Sequence, residues 1–252
     1  MLLVELQGLN LKLIAQYNIL KEEKRMNKYL MTIDAGTGSA RAVIFDLIGN
    51  QISVGQEEWE HVSIEGIENS MSFDYDNNWE LILRCIKKAL SDATLNSSDI
   101  LAVSATSMRE GIVLYDKNDV EVFAVANVDA RAHKQVKYLN ENFEGIEKEF
   151  YNKSGQTFAL GALPRIMWVK ENLPETYEKV AHISMISDWI LFKLSGVIAT
   201  DPSNGGTSGI YSLKQRDWLP QMATKVGIKD TIFPPSCEPG TVLGKVNSAL
   251  DI

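Results

Sequence analysis

The stretch TIDAGTGSARAVIFD, residues 32–46, sets two apolar runs on either side of a turn made of Gly36, Thr37, Gly38 and Ser39. Two structures suit it. One is a tight β-hairpin in which Gly36 or Gly38 supplies a positive φ. The other is a phosphate loop, where glycines let backbone N–H groups approach an anion, Thr37 and Ser39 add hydroxyl donors, and Asp34 faces a metal. A short glycine-rich match does not choose between them, so the choice rests on what surrounds it.

Outward from this stretch the chain alternates and turns at Gly49-Asn50, which predicts three antiparallel strands over 29–34, 41–47 and 51–60. The segment DNNWELILRCIKKALSDA, residues 76–93, follows with Asp76 or Asn77 as N-cap and Trp79, Ile82, Leu83, Ile86, Ala89 and Leu90 at helical spacing. ILAVSATS, residues 100–107, reads as a short buried strand, and a hairpin is expected around Lys117-Asn118-Asp119. Helical periodicity then predicts helices near 129–142, 164–172, 187–195 and 217–226, the third capped by Ser187-Asp188. The order β-β-β-α-β with later helices predicts an α/β layered domain built on a mixed sheet.

Composition narrows the partners. The chain has 252 residues, 45% of them hydrophobic, and a formal net charge of −8. It can bury a large core, and its acidity disfavours nucleic acid or an anionic membrane surface. The one Lys/Arg-rich run, KEEKRMNK at 21–28, is mixed in sign. A small-molecule substrate is the expected partner. Cys85 and Cys237 are the only cysteines, so neither a disulfide framework nor a zinc site is signalled, and a cytoplasmic location is expected. Residues 1–25 hold no apolar run of membrane-spanning length and no cleavable leader pattern. They read as an extension ahead of a domain that opens at Met26 and runs to residue 252.

Three polar clusters fall where an α/β sheet places ligand contacts. SMREG puts Arg109 and Glu110 at the carboxyl end of a strand, where a neighbouring cation and anion suit hydroxyl groups; a plain surface ion pair is the alternative. ANVDARAH places Asn127, Asp129 and Arg131 at the next strand-to-helix junction, where Asp129 serves either as a helix cap or as a ligand contact. TDPSNGGTSG, residues 200–209, is rich in turn formers and is expected to be a loop. The three histidines, His61, His133 and His182, are scattered and receive no catalytic role.

Taken in order, these pieces resemble the FGGY family of carbohydrate kinases, whose fold is ribonuclease-H-like and shared with the actin-like ATPases. Asp34 to Arg41 resembles the family's first phosphate loop, Arg109-Glu110 its polyol-binding pair, Asn127 to Arg131 its next substrate strand, and Asp201 to Thr207 its Asp-x-x-Asn segment. Within the family, GNQISVGQEEWEH, MREGIVLYD, NVDARA, MISDW and DPSNGGTSG look most like the autoinducer-2 kinases. The resemblance implies transfer of the γ-phosphoryl group of ATP to a primary hydroxyl, with Mg²⁺ held by Asp34. It places Thr37, Gly38, Ser39 and Arg41 at the nucleotide phosphates, and Arg109, Glu110, Asn127 and Asp129 at the substrate. The expected substrate is 4,5-dihydroxypentane-2,3-dione; xylulose, glycerol or rhamnulose kinases are the alternatives within the family. A non-catalytic nucleotide- or signal-binding module and an actin-like assembly protein are alternatives outside it. The family's general base stands in a Gly-Gly-x-Asp motif of which this sequence has no counterpart, so the expectation is an N-terminal half with little activity of its own.

Overall fold

The computed structural model describes residues 28–250. The expected extension at 1–25 lies outside the described residues. Strands β1 (Tyr29–Ala35), β2 (Ser39–Asp46) and β3 (Gln51–Glu58) run antiparallel, and β4 (Ile100–Ser107) pairs with β1 in parallel, giving a mixed sheet of order β3-β2-β1-β4. The parallel pair needs a crossover, and α1 (Tyr75–Asp92) supplies it, which completes the expected β-β-β-α-β order. Alternation puts Met31, Ile33 and Ala35 of β1 and Ala40, Ala42 and Ile44 of β2 on the inner face, beneath Ile82, Cys85, Ile86 and Ala89 of α1. The helix lies directly on the sheet at Gly55, where a Cβ would fall 2.0 Å from the carbonyl oxygen of Cys85. Only glycine leaves room for that approach.

A second sheet, of order β6-β5-β7, joins β5 (Ile112–Tyr115), β6 (Glu121–Val125) and β7 (His182–Met185), all antiparallel. Every residue of β5 is buried because both faces of this sheet are covered. Ile112, Leu114, Phe123 and Val125 enter one core, with helices α2 (His133–Asn142), α3 (Ile146–Ser154), α4 (Ala162–Asn172), α5 (Pro174–Lys179) and α8 (Pro220–Lys225). Val113, Tyr115 and Ala124 enter the other, which holds the four-stranded sheet and Trp189 and Ile190 of α6 (Ile186–Ser195). The remaining pieces are the short helix α7 (Pro202–Gly205) and the two-residue strands β8 (Tyr211–Ser212) and β9 (Asp217–Trp218).

Several boundaries differ from the sequence expectation, each for a local reason. Helix α1 is capped by Asp74 rather than Asp76 or Asn77: the Asp74 carboxylate accepts from the Asn77 backbone N–H at 3.0 Å. Asp76 falls inside the first turn, where its charge suits the helix dipole. Strand β4 is half-exposed, with Leu101 at 56%, because among the described residues only β1 pairs with it. The helix expected from 129 begins at His133, since Asp129 to Arg131 form a turn that is used for other contacts. Met185 stands at the N-cap of α6, and Asp188, three residues in, reaches back to the Met185 N–H. The stretch expected as a loop at 200–209 winds into α7 and a 3₁₀ turn, Gly206–Ser208, because Asp201 accepts from the N–H groups of Ser203 and Asn204.

Candidate functional site

The stretch at residues 32–46 takes the hairpin backbone. Residues 36–38 close an antiparallel pair, with Ala35 facing Ala40, so the chain does form a hairpin. Neither Gly36 nor Gly38 has a positive φ, however, and the turn is not held by glycine geometry. It is held from below by Trp59. The buried indole N–H donates to the carbonyls of Gly36 at 3.0 Å and Thr37 at 3.2 Å, and the Trp59 backbone N–H donates to Gly38. With these carbonyls turned to the protein, Thr37 and Gly38 stay exposed at the tip. Phe73 meets Trp59 edge to face at 5.4 Å, and the His61 ring leans on both at 6.3 and 6.1 Å. Both His61 ring nitrogens are buried without a hydrogen bond among the described residues, and burial holds its pKa below the usual histidine value. His61 buttresses Trp59.

Asp34 and Arg41 stand directly opposite each other on β1 and β2, and the guanidinium donates to one carboxylate oxygen at 2.7 and 3.0 Å. The pair is solvent-facing. Its strength is therefore modest, and a cation or phosphate can compete for either partner. Ser39 begins β2, with its hydroxyl 3.4 Å from the Gln56 amide.

The loop touches the second cluster. The Thr37 hydroxyl and the Asn127 amide meet at 3.1 and 3.3 Å, joining the tip between β1 and β2 to the turn after β6. Arg109 is exposed, and Glu110, beside it, takes a left-handed backbone at φ 64. Two groups hold the Glu110 peptide: its N–H faces the Thr207 hydroxyl at 3.4 Å, and its carbonyl accepts from the Arg165 guanidinium. Arg165 also donates to the carbonyls of Asn127 at 2.8 Å and Asp129 at 2.6 Å. Four of the residues expected from the sequence are thus joined by hydrogen bonds, directly or through Arg165: Thr37, Asn127 and the backbones of Glu110 and Asp129, with Arg109 next to Glu110 in the chain.

The Asp129 side chain is engaged within the protein. It is completely buried, and its oxygens accept from the Met71 N–H at 2.6 Å, the Arg131 N–H at 3.3 Å and Arg131 Nε at 2.8 Å. Arg131 in turn reaches the Ser72 hydroxyl and lies over the Trp168 ring at 4.9 Å. These bonds make the Asp129 carboxylate part of the frame of the turn.

Sequence reading missed three contributors. Arg165 lies inside the apolar run ALPRIMWV and is 1% exposed; a charge in such a run is the signal that could have found it. Trp59 follows β3 directly and carries no local signal of its hold on the loop at residues 36–38. Asp188 is buried, accepting from Thr200 at 2.8 Å and from Asn204 at 2.8 Å, while the Asn204 carbonyl accepts from the Thr207 hydroxyl that faces Glu110. Burial pushes the Asp188 pKa up to about 7, with nearby Asp201 adding to the rise and the hydrogen bonds opposing it.

Among the described residues no three His, Cys, Asp or Glu side chains gather to hold a metal. The donor set at Asp34 is one carboxylate beside a loop open to phosphates. That fits Mg²⁺, which binds through one or two carboxylates together with substrate phosphate oxygens, and does not fit a softer ion. No helix among the described residues is long and apolar enough to cross a membrane.

Known proteins share this fold. A xylulose kinase from Rhodospirillum rubrum superposes with a TM-score of 0.78 at 18% identity, covering 88% of this chain and 45% of its own. Plasmodium falciparum glycerol kinase with ADP gives 0.77 at 18% identity, over 88% and 45%. These likenesses show the fold, which is the actin-like ATPase fold of the sugar kinases. In sequence, the autoinducer-2 kinase of Enterobacter sp. (strain 638) is 53% identical over 222 residues, covering 88% of this chain and 42% of the relative. That of Klebsiella pneumoniae is 50% identical over the same coverage. The chain thus spans less than half the length of these relatives. Residues 29–251 match the N-terminal domain of the FGGY family of carbohydrate kinases, and this chain belongs to that family.

Proposed function

We propose that this chain supplies the phosphate loop and the substrate turns of a kinase that moves the γ-phosphoryl group of ATP to a primary hydroxyl of a small polyol-like molecule, and that this molecule is 4,5-dihydroxypentane-2,3-dione. The observation that carries the reading is the contact of Thr37 with Asn127, which sets a phosphate-suited loop against the turn after β6, itself tied through Arg165 to the Glu110 backbone. Phosphoryl transfer asks for positioning and charge neutralisation more than for covalent chemistry, and these residues offer both. The N–H groups and hydroxyls of residues 37–39 approach phosphate oxygens. Arg41, released from Asp34, adds a cation there. Arg109 and Glu110 donate to and accept from neighbouring hydroxyls and orient the one to be phosphorylated. Asp34 would hold Mg²⁺, which when bound neutralises phosphate charge. The choice of the dione over a sugar rests on the identities of about one half to the Enterobacter and Klebsiella relatives, both named autoinducer-2 kinase, autoinducer-2 being a signal derived from that dione.

The test is to join this chain in frame to the C-terminal part of the Enterobacter relative and assay phosphate transfer from ATP to the dione, D-xylulose and glycerol. Turnover of the dione at least tenfold above the two polyols, lost in Asp34→Asn, is the expected result. Faster turnover of xylulose or glycerol overturns the substrate, and full activity in Asp34→Asn overturns the role of the loop carboxylate.

A further inference from the structure

The site described so far is made of turns, and turns need something rigid behind them. Behind these two stands a single guanidinium. Arg165, in the first turn of α4, is 1% exposed and gives its N–H groups to the carbonyls of Glu110, Asn127 and Asp129. These carbonyls lie on two separate stretches of chain, one after β4 and one after β6. Within the described residues its Nε has no partner, so nothing but these carbonyls and nearby charge repays its burial. Helix α4 is a firm base for it: eight consecutive residues, Ala162 to Val169, are buried, and at Gly161, just before the helix, a Cβ would fall 2.7 Å from the Ser208 carbonyl. The 3₁₀ turn carrying Thr207, which faces the Glu110 N–H, is therefore packed against the start of the same helix.

We propose that Arg165 is a positioning residue that sets the spacing of the two substrate turns and, together with Thr207, keeps Glu110 in its left-handed backbone. An L-residue leaves that region readily unless the surroundings hold it, and here the N–H and the carbonyl on either side are both gripped. The planar fork matters as much as the charge. One guanidinium spans three carbonyls on two stretches, which a lysine's compact ammonium reaches only in part. Although burial lowers the Arg165 pKa to about 10, with Asp129 and Glu110 opposing the fall, the group stays charged at neutral pH. The role rests on the reading of Arg109 and Glu110 as substrate contacts.

The experiment has two arms. In the joined enzyme, Arg165→Met is expected to raise the KM for the dione at least tenfold while the KM for ATP changes less than twofold. Arg165→Lys is expected to recover most of the loss at pH 6 and to forfeit it by pH 9 as the buried ammonium deprotonates, whereas the parent stays flat over that range. An unchanged KM for the dione in Arg165→Met, or an Arg165→Lys profile as flat as the parent's, overturns the proposal. The second arm uses the 252-residue chain itself and needs no activity: amide hydrogen exchange at Gly111 and Ala130 is expected to quicken at least tenfold in Arg165→Lys at pH 9, with the Ala42 and Val43 amides of β2 unaffected. Equal exchange at all four positions overturns the proposal even if the joined enzyme is silent. A parent joined enzyme that ignores the dione while the exchange result holds overturns the substrate reading alone.

Discussion

Replacing Trp59 with phenylalanine tests how the loop at residues 36–38 is held. The indole N–H is shared between two carbonyls, at 3.0 Å to Gly36 and 3.2 Å to Thr37, and phenylalanine removes it while keeping an aromatic ring against Phe73. Gly36 is half-buried and Thr37 is exposed, so water partly replaces the donor, and the lost hydrogen bond costs about 1 kcal/mol. Trp59 is itself 6% exposed, and the smaller ring leaves a void worth a further ~1–2 kcal/mol. Together these give roughly 2–3 kcal/mol, which for a domain of this size lowers Tm by roughly 5–10 °C. Thermal unfolding followed by circular dichroism reads the change. Amide exchange at Thr37 and Gly38 should quicken in parallel, because the backbone bond from Trp59 to Gly38 remains as the only tether from this residue. A Tm within 2 °C of the parent, with loop exchange unaltered, would refute the idea that the indole holds the loop.

Two further expectations concern the frame. The Asp188 pKa is raised to about 7 in the folded chain against an ordinary 3.8, so the native state binds this proton more tightly than the unfolded state does. The associated stability is fully present below pH 3.8 and is lost as pH rises toward 7, by an amount on the order of 4 kcal/mol; Asp188→Asn should flatten that part of the urea-midpoint profile, and an undiminished slope in the variant argues against it. Gly55→Ala should cost at least ~2 kcal/mol in urea unfolding, because its new methyl meets the backbone of α1 at 2.0 Å and the helix must move; a parent-like midpoint would show that α1 shifts freely.

The fold was largely legible because its strongest signals are periodic. Alternation in 29–58 and the apolar stripe of α1 fixed the sheet and its crossover, and the turn chemistry at Gly49-Asn50 and Asn118-Asp119 fixed two hairpins. Legibility failed where a side chain works through the backbone of a distant stretch. Asp129 sits in a motif that suggests a ligand contact, yet its partners are Met71, far off in sequence, and Arg131. Arg165 has no local pattern pointing to Glu110 and Asn127, since its meaning arises only when α4 is docked beneath both turns. Helix starts slipped for a simpler reason. Several acidic or amide residues in a row can each cap, and here the Asn77 N–H bonds Asp74, with Asp76 inside the first turn.

The middle sheet has a consequence for how the chain comes apart. Successive residues of β5 belong to opposite cores, Ile112 and Leu114 to one and Val113 and Tyr115 to the other. Opening either core strips one face of the same three strands, exposing side chains whose neighbours along the strand anchor the intact half. Two hydrophobic clusters would ordinarily suggest two melting units, but a seam of this kind ties them into one cooperative transition. The turns carrying Glu110 and Asn127 begin just before β5 starts and where β6 ends, so they are fastened to the part of the molecule that gives way last.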